Sequence, residues 1–156
     1  NNLKVKITFS IEKVPLGTGG AIKQAGSLIK EKSFFVLNGD VITNIDLDKL
    51  AKKPNSIASI ELKTKFGIME TKGDLVTAFK EKKKVSEVWM NGGVYHLQKE
   101  TLRDLPKRGD IEKTVFPDYA KKEMLHTVKF KDVDWYSIDS FNDMVECSLI
   151  IDKIIK

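Results

Sequence analysis

Apolar and polar residues alternate at Leu3, Val5, Ile7 and Phe9, the period of a half-buried strand. A turn-rich loop follows from Pro15 to Gly20. Ile22, Ala25, Leu28 and Ile29 then recur at helical spacing, which predicts a helix over Ala21 to Lys32. Phe34 to Leu37 is a short continuous apolar run, the pattern of a central parallel strand covered on both faces. It ends in Asn38-Gly39-Asp40. Ile45 to Lys53 reads as a short helix with Asp46 as N-cap, closed before Pro54.

Ser56 to Leu62 is the next strand. Phe66 to Glu70 and Leu75 to Phe79 flank Thr71-Lys72-Gly73-Asp74, a hairpin signal. Val88 to Leu97 predicts a strand interrupted by Asn91-Gly92-Gly93, after a lysine-rich run from Lys80 to Lys84. Lys99 to Leu105 and Ile111 to Lys122 read as helices, with Pro117 marking a kink or a new start in the second. Met124 to Phe130 and Val133 to Ile138 are strands. Ser140 to Ile155 is the most regular helix, with Phe141, Met144, Val145, Cys147, Ser148, Ile151, Ile154 and Ile155 on one face and Ser140 and Asp143 placed for a capping box. Helices interspersed among strands predict a layered α/β domain whose sheet is mixed, because of the hairpin. No internal repeat, low-complexity segment or linker divides it.

Length and charge narrow this picture. The 156 residues suffice for one domain. The net charge is +5, carried almost wholly by lysine, with Arg103 and Arg108 the only arginines. Lysines interleaved with acids describe a solvated surface rather than a nucleic-acid reader, which leans on arginine's bidentate fork. No apolar run reaches the ~18–20 residues that span a bilayer. The first residues carry no apolar h-region of a signal peptide. With Cys147 alone there is no internal disulfide framework. A cytoplasmic protein without membrane or nucleic-acid partners is expected, and the absent initiator Met points to a missing upstream segment.

Several places could carry chemistry. In Leu16-Gly17-Thr18-Gly19-Gly20 three glycines between a strand and a helix let backbone approach a ligand, and the helix start offers N–H groups to an anion; an ordinary tight turn is the alternative. The stretch is neither a P-loop nor the dinucleotide fingerprint. Asp40 stands beyond the carboxyl end of an apolar strand, where ligands of open α/β sheets sit and where a carboxylate can hold Mg²⁺; a solvated turn would place it there as well. Glu81 and Lys82 could meet a sugar hydroxyl and a phosphate, or form part of a solvated charge run. Asn91-Gly92-Gly93 is a bulge near a ligand or a strand irregularity. Asp139 closes a strand before a helix, facing a cleft or serving helix entry. His96, His126 and Cys147 read as structural.

The order of these stretches is more specific than any one of them. Leu16-Gly17-Thr18-Gly19-Gly20-Ala21-Ile22, Phe35-Val36-Leu37-Asn38-Gly39-Asp40, Phe66-Gly67-Ile68-Met69-Glu70, Phe79-Lys80-Glu81-Lys82 and Asn91-Gly92-Gly93-Val94-Tyr95 follow in turn. Ile111-Glu112-Lys113-Thr114-Val115-Phe116-Pro117 and Trp135-Tyr136-Ser137-Ile138-Asp139 come after them. In this order they resemble the sugar-1-phosphate nucleotidyltransferases over essentially the whole chain. The resemblance implies a Rossmann-like three-layer α/β sandwich with a mixed, mostly parallel sheet, N-terminally incomplete. Residues 1–156 would be the C-terminal two-thirds of a single nucleotidyltransferase domain.

The implied reaction joins an NTP and a sugar 1-phosphate to give an NDP-sugar and pyrophosphate, with Mg²⁺ as cofactor. Leu16, Gly17, Thr18, Gly19 and Gly20 would line the nucleotide. Asp40 would hold Mg²⁺. Gly67, Glu81 and Asn91 would contact the sugar, and Lys82 its phosphate. The Gly-Thr-Gly-Gly-Ala-Ile stretch leans toward guanylyltransferases of mannose or heptose 1-phosphates. Two departures stand out. Ser137 occupies the usual position of the second metal-binding aspartate, so Asp139 becomes the candidate. The family's opening glycine- and arginine-containing triphosphate loop is absent, so the 156 residues are expected to be an inactive fragment needing the missing N-terminal segment or a complementary chain, with a homo-oligomer open. A non-catalytic sugar-nucleotide-binding subunit of the same fold is the alternative.

Overall fold

The computed structural model describes residues 4–63, 66–81 and 84–154. In chain order the elements are α1 (Gly17–Ala25) with a 3₁₀ turn (Gly26–Leu28), β1 (Ser33–Leu37), β2 (Val41–Thr43), α2 (Leu47–Ala51), β3 (Ser56–Lys63), β4 (Ile68–Lys72), β5 (Leu75–Lys80) and β6 (Lys84–Gln98). They continue with α3 (Thr101–Asp104), a 3₁₀ turn (Ile111–Lys113), α4 (Val115–Lys121), β7 (His126–Phe130), β8 (Trp135–Ser137), α5 (Phe141–Ser148) and α6 (Ile151–Ile154).

Four strands form the main sheet in the order β1-β6-β3-β7. β6 is antiparallel to both β1 and β3, while β3 is parallel to β7. β1, β3 and β7 therefore share one direction and β6 opposes them. The sheet is mixed, but through β6 rather than the hairpin, whose strands form a separate ribbon. β1 pairs antiparallel at the edge of the described sheet instead of parallel at its centre. β2 pairs with β8, and β4 with β5, as two separate antiparallel ribbons.

Side-chain alternation along β3, β6 and β7 sends residues to two cores. On one face Tyr95 and Leu97 pack with Leu105, Ile111, Val115, Phe116 and Tyr119, beneath α1, α3 and α4. On the other, Val94, Ala58 and Ile60 pack with Ile45, Leu50 and Phe130, beneath α2 and β8. This is an α/β arrangement with the sheet covered on both sides.

Some local expectations change. Among residues 4–12 no strand forms, and Val5, Ile7 and Phe9 are exposed, because no neighbouring strand is there to pair with them; Leu3 lies outside the described residues. β1 is half-buried rather than covered on both faces. Phe34 and Val36 meet the core, whereas Phe35 and Leu37 point outward at the edge of the described sheet. The helix predicted from Ala21 starts four residues earlier, inside the glycine stretch, and gives way to the 3₁₀ turn after Ala25.

Val88 to Leu97 is not interrupted either. β6 runs continuously and absorbs Asn91 to Val94 as an irregularity, since Ile57 pairs with Tyr95 but Ser59 with Asn91. At the C-terminus Ser140 caps α5, its Oγ accepting from the Asp143 N–H at 3.2 Å. The single predicted helix divides into α5 and α6. Of its predicted apolar face, only Cys147 and Ile154 are buried among the described residues, while Phe141, Met144 and Val145 are exposed; Ile155 lies outside the described residues. No helix among the described residues is long and apolar enough to cross a membrane.

Candidate functional site

The glycine stretch meets the loop between α3 and the second 3₁₀ turn. The Gly109 N–H donates to Leu16 O at 2.7 Å, and the Gly20 N–H donates back to Gly109 O at 3.2 Å. A Cβ on Gly19 would stand 2.9 Å from Gly109 O, and Gly17 takes φ +75° beside Asp110. The glycines thus allow one backbone to approach another, and the helix-start donors are partly satisfied within the protein. The Asp110 carboxyl is held below the usual range by Lys113 first and also by the Thr18 backbone N–H.

Thr18 is the residue of Gly17–Gly20 whose surface opens onto a cleft. This cleft, of about 420 Å³, is lined by Thr18, Ala21 and Ile22 of α1, by Val36 to Asp40 at the carboxyl end of β1, and by Tyr95 of β6. The placement of Asp40 beyond its strand is therefore realised. β2 follows it directly, and Val41 pairs with Ser137 of β8. The Ile138 N–H donates to Asp40 O at 2.9 Å, so Asp139 is brought to the same end of the sheet. The Ser137 hydroxyl donates to Asp139 Oδ2 at 2.9 Å and orients it. Asp40 and Asp139 are of the ligand type that Mg²⁺ takes, since it binds one or two protein carboxylates and completes its shell with phosphate and water. Among the described residues no cluster of three or more His, Cys, Asp or Glu could hold a metal.

Asn91 sits at the β6 irregularity. Its Oδ1 accepts from the Gly93 N–H at 2.9 Å and its Nδ2 donates to Tyr95 Oη at 2.9 Å. Gly93 takes φ +69°, and a Cβ there would lie 3.0 Å from Asn38 Nδ2, so glycine is required. The Asn38 N–H donates to Gly93 O at 2.9 Å, tying the irregularity to the Asp40 turn. Asn91 itself lines a second depression of about 220 Å³ with Ser59, Trp89 and Thr127.

Tyr95 and Glu112 are functional candidates that the sequence left without roles. Tyr95 is 1% exposed, and its hydroxyl donates to Glu112 Oε1 at 2.9 Å. Burial pushes the phenol above the ordinary tyrosine value; the Asn91 N–H pulls it down, and the charges of Glu112 and Asp40 raise it. A buried tyrosine hydroxyl needs a partner, and that need, with a glutamate in a conspicuous Ile111–Pro117 stretch, was the available signal.

The hairpin residues stand apart. Ile68 pairs with Lys80, so Gly67 and Glu81 lie opposite each other just beyond the ladder. Neither lines the 420 Å³ cleft. Lys82 lies outside the described residues. His96 and His126 are structural, with Nδ1 atoms 2.9 Å and 2.8 Å from the carbonyl oxygens of Lys53 and Pro54. Cys147 is buried.

In comparison with known proteins, residues 1–153 match the family described as nucleotidyl transferase. The chain is 38% identical over 127 residues to a D-glycero-alpha-D-manno-heptose 1-phosphate guanylyltransferase of Campylobacter jejuni, covering 76% of this chain and 57% of that protein. It is 31% identical over 157 residues to the mannose-1-phosphate guanylyltransferase catalytic subunit beta of Danio rerio, covering 92% of this chain and 43% of that protein. It superimposes on the crystal structure of HddC from Yersinia pseudotuberculosis with a TM-score of 0.69 at 27% identity, covering 96% of this chain and 69% of that one. HddC has also been solved complexed with GMP-PN. The chain spans about half the length of the curated relatives it matches.

Proposed function

The chain belongs to the nucleotidyl transferase family, and on that premise we propose that the full protein transfers a nucleotidyl group from an NTP to a sugar 1-phosphate. A sugar 1-phosphate oxygen attacks the α-phosphorus of the NTP, and pyrophosphate leaves. Guanylyl transfer to a heptose or mannose 1-phosphate is the favoured version, supported by the printed activities of the relatives. A cytoplasmic setting accompanies it, since a single cysteine offers no internal disulfide.

The observation that carries this reading is the cleft at the carboxyl end of β1 whose lining includes both Thr18 and Asp40. Leu16, Gly17, Thr18, Gly19 and Gly20 form the nucleotide side, with Thr18 turned toward the cleft. Asn91 offers its remaining amide donor and acceptor to a sugar hydroxyl. Gly67 and Glu81 would reach the sugar from the hairpin, and Lys82 would pair with its phosphate. Asp40 and Asp139 would hold Mg²⁺, which supplies charge neutralisation on the phosphates when bound. The chemistry asked of the protein is positioning and electrostatic stabilisation rather than covalent catalysis.

The test is pyrophosphate release by the natural full-length protein with Mg²⁺, GTP and mannose 1-phosphate or a heptose 1-phosphate. Release that disappears in Asp40→Ala supports the enzyme. Binding of a GDP-sugar without any pyrophosphate formation points instead to the non-catalytic, sugar-nucleotide-binding subunit, the reading that Ser137 in a metal-ligand position favours.

A further inference from the structure

A chain of side-chain hydrogen bonds that passes through Glu112 and Tyr95 links residues lining the two depressions. Glu112 follows the first residue of the 3₁₀ turn over Ile111–Lys113, and its two carboxylate oxygens go to different elements. Oε2 accepts from the Thr18 hydroxyl of α1 at 2.6 Å, and Oε1 accepts from the Tyr95 hydroxyl of β6 at 2.9 Å. Beyond Thr18, the Ile111 N–H donates to Thr18 Oγ1 at 3.0 Å. Beyond Tyr95, the Asn91 Nδ2–H donates to Tyr95 Oη at 2.9 Å, and Asn91 Oδ1 accepts from the Gly93 N–H at 2.9 Å.

An ionised carboxylate only accepts hydrogen bonds. Thr18 and Tyr95 must therefore both donate to it. Tyr95, having used its hydrogen, presents a lone pair, and only the amino end of the Asn91 amide can satisfy that lone pair. The charge on Glu112 thus sets the direction of every bond out to Asn91. It leaves Asn91 with one N–H and one carbonyl lone pair in a defined order, which matches a sugar hydroxyl that both accepts and donates. Thr18 and Tyr95 line the 420 Å³ cleft, and Asn91 lines the 220 Å³ depression.

We propose that Glu112 is a positioning residue: through Thr18 on one oxygen and Tyr95 and Asn91 on the other, it holds the nucleotide side and the sugar side of the site in one hydrogen-bonded frame. The use of that frame on a sugar 1-phosphate rests on the function proposed above. Glu112→Gln keeps the shape but turns one acceptor into a donor, so one arm must reverse or break. Tyr95→Phe keeps the buried ring and removes only the arm to Asn91.

The experiment uses the ¹⁵N-labelled natural full-length protein. The side-chain amide signals of Asn91 are identified by their loss in Asn91→Asp. Glu112→Gln and Tyr95→Phe are each expected to shift those signals. With GTP and mannose 1-phosphate, each is expected to raise KM for the sugar phosphate about five- to tenfold, the worth of one well-oriented hydrogen bond. Glu112→Gln raises KM for GTP more than Tyr95→Phe does, because it also loosens Thr18, whose bond Tyr95→Phe keeps. The double variant is no worse than Glu112→Gln for the sugar phosphate, because both changes break one relay. Asn91 signals unmoved in both variants overturn the frame, as do additive KM effects or a lowered melting temperature with every KM unchanged. If the unaltered protein turns over no sugar phosphate, the proposed function and its use of the frame fall, and the Asn91 signals still decide whether the frame exists.

Discussion

The indole N–H of Trp135 donates to the carbonyl oxygen of Gly92 at 2.8 Å, reaching the β6 irregularity from the face opposite Tyr95. Asn91 to Gly93 is thus held by Trp135 on one side, by the Asn91–Tyr95 bond on the other, and by Asn38 at the edge. A segment with two glycines would otherwise be the loosest part of the strand.

Trp135→Phe should lower stability by about 1–2 kcal/mol, from the unpaired Gly92 carbonyl and the lost ring volume. Gly93→Ala should cost more, because φ +69° and the close Asn38 amide both oppose a Cβ. Urea unfolding of the full-length protein measures both, and equal stabilities would show that the irregularity is not constrained as described.

Gly19→Ala and Gly39→Ala form a matched pair. Alanine favours a helix over glycine by ~1 kcal/mol, so propensity alone predicts that Gly19→Ala stabilises α1. The Gly109 oxygen 2.9 Å from the added Cβ predicts the reverse, a loss of about 1–3 kcal/mol. Gly39 has nothing within 4 Å of its Cβ position, so its substitution should stay within about 0.5 kcal/mol. Melting temperatures of the two variants decide between propensity and packing.

Alkaline pH should act through Tyr95. Its phenol is pushed above the ordinary value of 10.0, first by burial. Below pH 10 the folded and unfolded states both keep the proton, and stability does not depend on this group. Above it the unfolded chain releases the proton while the folded chain retains it, so stability falls as pH rises. Phenylalanine has no proton to lose. The stability gap between the unaltered protein and Tyr95→Phe should therefore narrow from about pH 8.5 through 10 to 11 in urea titrations. A gap that stays constant would contradict the raised value.

In the proposed reaction, Asp40→Asn should reduce kcat of the full-length protein on the order of 100-fold or more while leaving its melting temperature close to the original. Asp139→Asn should raise the Mg²⁺ concentration needed for half-maximal activity. Ser137→Ala, which removes the hydroxyl on Asp139, should do the same more weakly, within about tenfold. An unchanged Mg²⁺ requirement in Asp139→Asn would remove Asp139 as a metal ligand.

How far the residues speak for themselves varies along the chain. Asp46 before α2, Ser140 before α5 and Gly73-Asp74 in the β4–β5 turn act through neighbours a few positions away, and each formed where expected. Asp40 was legible for a similar reason: a short apolar strand ending in Asn-Gly-Asp carries its own position. Glu112 was not: the Ile111–Pro117 stretch marks the segment, but nothing within a few residues says what its carboxylate bonds. Its meaning arises from Thr18, 94 positions away, and Tyr95, 17 positions away.

The sequence by itself determined the α/β class, most of the order of elements (β2 excepted) and the ordered motifs that mark the family, because hydrophobic period, caps and turns are local properties. Tertiary structure decided the rest. α1 begins in poor helix-forming glycines because the Gly109 backbone bonds it from both directions. Leu3 to Phe9 has strand periodicity, yet residues 4–12 form no strand, since a strand needs a neighbour for its hydrogen bonds. Thr18, Tyr95, Asn91 and Glu112 became one frame only when α1, β6 and the Ile111 turn met, since hydrogen bonds of a few ångströms join residues that the chain keeps far apart.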